Sequence, residues 1–102
     1  MKKDKEKTKV IFKWAHYPDG GPDEVLAFFP GAEANRGSIQ VYAHVGQHSE
    51  ASCDFYQSRC RPCRSPREYR ALKHELEDNF GYNFKVVKRV TAQDRKKMWR
   101  LP

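Results

Sequence analysis

The sequence predicts a small α+β domain: an antiparallel β-sheet of three to four strands with one helix packed on a face, in the order β-β-β-α-β. Three observations carry that prediction. Apolar residues alternate at period two in several separate segments, one segment spaces them by three and four behind a helix-start signature, and clusters of turn formers lie between. A chain of 102 residues holds one core, burying roughly 60 to 65 % of the surface its unfolded form exposes. The expected division is a basic, disordered N-terminal tail at 1–9, a single domain at 10–90, and a basic C-terminal tail or short helix at 91–102.

Residues 10–17, VIFKWAHY, set Val10, Phe12 and Trp14 against Ile11, Lys13 and Ala15, the pattern of a strand. PDGGPD at 18–23 supplies fixed φ at Pro and positive φ at Gly for a reversal. EVLAFFP at 24–30 is a second strand, closed by Pro30 because proline lacks the ladder donor, so the two should form a hairpin. In SIQVYAHV, Ile39, Val41, Ala43 and Val45 share one face of a third strand, with Gln40, Tyr42 and His44 on the other. Gly46 breaks the pattern, and residues 46–64 show neither period, so this stretch reads as a loop.

Ser65-Pro66-Arg67-Glu68 matches a capping box with Pro at the first helical position. Tyr69, Leu72, Leu76 and Phe80 then fall on one face, and Gly81 stands where a left-handed cap would end a helix over 66–79. YNFKVVKRV at 82–90 returns to alternation as a final strand. Thr91 is a candidate cap for one or two further turns, marginal in isolation at that length and charge.

The net charge of +7 is concentrated at the ends: residues 1–9 carry +3, residues 85–100 carry +6, and the stretch between carries −2. Basic ends on a near-neutral body suit a polyanion, because each phosphate contact releases counterions; solvated, solubilising tails are the plainer explanation. No apolar run reaches membrane-spanning length, and MKKDKEKTK is followed by no signal-peptide segment. Three cysteines is an odd count for a disulfide framework, so the expected location is cytoplasmic, with thiols free or metal-bound.

EVLAFFP at 24–30, YAHVGQH at 42–48, EYRALKHELED at 68–78 and GYNFKVVKRV at 81–90 together resemble the pattern of a family of small bacterial proteins carried by phages and other mobile elements. The resemblance spans roughly residues 10–90 and implies an accessory protein of a mobile element. It carries no assigned activity and no catalytic or binding residue, and CRPC lies outside the shared pattern.

Four chemistries compete for the polar residues. His44, His48, Cys60 and Cys63 would make an N₂S₂ zinc set, with Cys53 a spare. Against it, an HxxxH pair shares a face only on a helix, and Gly46 sits between these two histidines. CRPC also has redox spacing, and a helix opening just beyond it would favour a thiolate at Cys63, but a thioredoxin-like motif follows a strand and enters the helix itself. No nucleophile elbow, phosphate loop or metalloprotease helix is present, so neither catalysis nor a cofactor is expected.

Nucleic-acid binding rests on a broader pattern. Residues 59–73 hold Arg59, Arg61, Arg64, Arg67, Arg70 and Lys73 against Glu68 alone. The expected contacts are Arg61, Arg64, Arg67 and Arg70, together with Lys85, Lys88, Arg89, Arg95, Lys96 and Lys97. Tyr56, Tyr69, Tyr82 and Trp99 would stack on bases or pack in the core. With no helix-turn-helix, RNP or finger motif, backbone contact without sequence readout is the expected mode. Two alternatives stay open: an inhibitor or adaptor of a host protein such as a nuclease or defence complex, and a zinc-stabilised interaction module.

Overall fold

The computed structural model describes residues 7–17, 20–30, 32, 37–43 and 47–93. Within them run β1 (Thr8–Ala15), β2 (Glu24–Phe29), β3 (Ser38–Ala43), β4 (Gln47–Ser52), α1 (Cys53–Ser58), β5 (Cys60–Pro62), α2 (Pro66–Phe80) and β6 (Phe84–Val86). The strands join in the order β4-β3-β2-β1-β5, and β6 also pairs with β1. The α+β class holds, with more strands than the expected three to four.

The alternation in β1 explains the layering. Val10 and Phe12 point to one face with Ala27, Phe29 and Tyr42, where Leu72 and Leu76 of α2 close over them. Ile11 and Ala15 point to the other with Leu26, Phe28, Ile39 and Val41, where Cys53 and Tyr56 of α1 complete a second cluster. The sheet therefore has apolar clusters on both faces, which is why β2 reads as the continuous run VLAFF rather than as an alternating strand. The expected single covered face is corrected accordingly.

The expected loop over 46–64 is corrected to a strand, a helical turn and a second strand. β4, QHSEAS, contains Ala51 as its one apolar residue and is held by backbone pairing to β3 at the sheet edge, so hydrophobic period had nothing to register. In α1 the Ser52 hydroxyl caps the helix, accepting from the Phe55 amide at 3.0 Å, but six residues are too few to display a helical repeat. β5 is three residues long and antiparallel to β1, pairing Trp14 with Arg61 and Ala15 with Cys60.

The helix expected over 66–79 is present as α2, and Gly81 ends it at φ 71° with its amide donating to Glu77 O at 3.0 Å. Its capping box is altered. The Ser65 side chain makes no cap bond, and Glu68 reaches back to the Arg64 amide at 3.3 Å. The final strand expected over 82–90 shrinks to Phe84–Val86 and runs parallel to β1, pairing Thr8 with Phe84 and Val10 with Val86, so the sheet is mixed. This pairing also brings Thr8 and Lys9, assigned by sequence to the tail, into the first strand.

Candidate nucleic-acid interface

The outer edge of β1 has two partners instead of one. β6 takes its first half at Thr8–Val10, and β5 takes its second half at Lys13–Ala15. Between them the Val87 amide reaches Val10 O at 2.9 Å and the Cys63 amide reaches Phe12 O at 3.4 Å. The fork holds a groove of about 460 Å³ with Ile11, Phe12, Tyr69 and Val87 along its apolar walls. Tyr69 is fixed there by stacking on Phe12, centroids 4.3 Å apart and planes 6° from parallel. The charged residues lining the groove, Arg64 and Lys88, are both basic.

Arg64 also borders a neighbouring open depression of about 460 Å³, completed by Trp14, Arg61 and Glu68. Arg61 lies directly across the ladder from Trp14, and its guanidinium sits 5.6 Å from the indole centroid, within cation–π range. The Trp14 Nε1–H donates to Glu68 Oε1 at 2.6 Å, the same oxygen that accepts from the Arg64 amide. These hydrogen bonds, the indole one foremost, and the nearby Arg61 and Arg64 charges hold the Glu68 carboxyl below its ordinary range despite some desolvation. Glu68 is thus an ionised anchor that orients the indole.

The sequence-predicted basic residues distribute unevenly around this fork. Arg61, Arg64 and Lys88 meet at the groove and depression. Lys85 is exposed on β6 opposite Lys9, and Arg89 is exposed just beyond. Arg67 and Arg70 are exposed on α2, on the side away from Leu72 and Leu76. Arg95, Lys96 and Lys97, with Trp99, lie outside the described residues. No family model, curated protein or solved structure matches this chain.

The residues weighed as a zinc set do not come together among those described. His48 is on β4 and Cys60 on β5, at opposite ends of the strand order, and four inter-strand spacings amount to roughly 19 Å. His44 lies outside the described residues. His48 instead joins an aromatic group, with its ring 4.7 Å from Tyr42, 5.0 Å from Phe80 and 6.3 Å from Tyr82, and its Nε2 is 3.2 Å from the Tyr82 hydroxyl. The Tyr42 hydroxyl donates to Glu75 of α2, tying that group to the helix.

CRPC does not act as a unit either. Cys60 packs against the α1-side cluster and Cys63 against the α2-side cluster, so the sheet lies between their surroundings. Burial pushes both thiols up to about 11; the Glu68 charge adds to the effect at Cys63, while Lys13 and Arg61 oppose it at Cys60 and Cys63 respectively. The redox reading set aside from sequence gains no support from the Cys63 thiol, where desolvation is the largest influence and disfavours a thiolate.

Trp14 and Glu68 were not among the expected contacts. Their partnership joins a strand and a helix 54 positions apart, and the strand that carries Arg61 beside them was itself invisible to periodicity. Among the described residues no helix is long and apolar enough to cross a membrane.

Proposed function

We propose that this is a non-enzymatic accessory protein that binds nucleic acid through backbone contacts along the forked edge of β1, without sequence-specific readout. The observation that carries the proposal is the convergence of Arg61, Arg64 and Lys88, from β5, the lead into α2 and the exit of β6, on one groove and its adjoining depression. Lys85 and Arg89 extend the same basic edge, and Arg67 and Arg70 offer further positive charge on the helix. These cations come from several elements of the fold, each available to a phosphate of a nucleic-acid backbone. The likeness to mobile-element proteins in YAHVGQH and GYNFKVVKRV supports the accessory role.

The test is binding of the full chain to labelled single-stranded and duplex DNA and RNA over a range of salt, beside a version trimmed to residues 7–93. Affinity that falls steeply with salt in both supports the folded domain as the binder. Loss of binding in the trimmed version refers it to the terminal segments and overturns the proposed site. A second reading, an inhibitor or adaptor of a host protein, is favoured by Phe80, 48 % exposed beside His48 at the other end of α2. A partner captured by the wild type and lost with Phe80→Asp, in a protein that binds no nucleic acid, would establish that reading instead.

A further inference from the structure

We propose that the depression formed by Trp14, Arg61, Arg64 and Glu68 is a seat for one unpaired nucleotide, which makes single-stranded nucleic acid the preferred ligand; this rests on the nucleic-acid reading above. Its volume of about 460 Å³ falls within the roughly 300 to 1,000 Å³ of small-molecule sites. Two planar groups are already in place: the indole is oriented by its 2.6 Å bond to Glu68, and the Arg61 guanidinium lies over it. A base entering the depression stacks on this pair, as bases do on aromatic rings and guanidinium planes. Glu68, held ionised by its partners, offers a carboxylate at the rim to the exocyclic amino group of cytosine or guanine.

The strand's path follows from the shared residue. Arg64 borders both the depression and the groove, and Lys88 stands on the groove's far wall, so phosphates flanking the seated base pass from Arg64 toward Lys88. A duplex cannot use the seat, because its base faces are covered by their neighbours in the stack. Duplex DNA or RNA would engage the same cations through its backbone but forgo the stacking contribution.

The experiment compares a short fluorescent single strand, the same strand with abasic sites in place of its bases, and the corresponding duplex. The proteins are the wild type, Arg61→Lys, Arg61→Gln and Trp14→Leu, each checked for an unchanged melting temperature. Arg61→Lys keeps the charge and removes the plane at an exposed position. We expect Arg61→Lys and Trp14→Leu to weaken the intact single strand about tenfold and to leave the abasic strand and the duplex nearly unchanged. Tryptophan fluorescence should be quenched by the intact strand in a Trp99→Phe background, where Trp14 is the only indole.

If Arg61→Lys binds the single strand like the wild type, while Arg61→Gln weakens all three ligands alike, Arg61 supplies charge alone and the seat is overturned, with the broader binding reading intact. If the wild type binds none of the three, both fall.

Discussion

Glu68 joins the helix to the first strand by accepting from Trp14 Nε1 and from the Arg64 amide, with Arg61 and Arg64 nearby. Because these partners favour the charged carboxylate in the folded state, its contribution is present above the ordinary value of 4.5 and is lost as pH falls through its lower folded value. Glu68→Gln, which keeps an acceptor but does not titrate, should show a shallower loss of stability on acidification than the wild type, measured by urea unfolding at a series of pH values. An identical acid slope in the two proteins would remove Glu68 from that role. The cysteines run in the opposite direction. Cys60 and Cys63 are raised from 9.0 to about 11, so the stability linked to their protonated forms is complete below pH 9.0 and fades as pH rises toward 11. At pH 8 the native protein should therefore be alkylated at least about tenfold more slowly than the urea-unfolded chain; equal rates would contradict the desolvation of these thiols. At this scale the sequence showed Glu68 as one half of a capping box, and the residue does reach backward. What it could not show was that an indole from the first strand competes for the same carboxylate.

At the scale of elements, α2 was readable because its 15 residues give four turns in which Tyr69, Leu72, Leu76 and Phe80 can recur, and because Gly81 marks its end. Gly81 has φ 71° and nothing within 4 Å of where a Cβ would stand, so its substitution tests backbone conformation alone. Gly81→Ala should destabilise the protein by about 1 kcal/mol, and Gly81→Asn by less, as read from denaturant midpoints. Leu76 is fully buried between α2 and the sheet, so Leu76→Ala should cost about 2 to 5 kcal/mol. A loss under 1 kcal/mol would mean that α2 is not docked as described. β4, α1 and β5 escaped sequence reading because their own side chains carry little periodic signal. α1 and β5 are too short to display a period, and β4 and β5 are held chiefly by backbone bonds to a neighbouring strand, whose information resides in the neighbour and not in the segment's own side chains. β6 was over-read for the converse reason: the β-branched residues Val87 and Val90 keep the segment strand-like after the pairing has ended at Val86, where only Phe84 of the strand is buried.

Over the whole molecule, Arg61, Arg64 and Lys88 gather beside the outer edge of β1. Neutralising Arg61, Arg64 and Lys88 together to Gln should reduce the slope of log affinity against log salt by roughly 2 to 3, at about 0.7 to 0.9 per phosphate contact, without changing the melting temperature by more than a few degrees. A slope unchanged from wild type in a folded triple variant would refer binding elsewhere. The layered plan with α2 on the sheet was legible in the alternation of residues 10–17 and 38–45 and in the helix signature at Ser65. The fork in the edge of β1 was not, because it depends on two three-residue strands that share one neighbour. That sharing also bears on synthesis. β1 leaves the ribosome before the other described elements, yet half of its outer edge is completed by β6, the last strand of the described fold. Until Phe84–Val86 has been translated and released, the amides and carbonyls at Thr8–Val10 have no sheet partner, and a nascent chain stalled after α2 would present them to any neighbouring strand. The domain is thus expected to close only after translation has passed its final strand, with folding rate limited by the meeting of its two most distant strands.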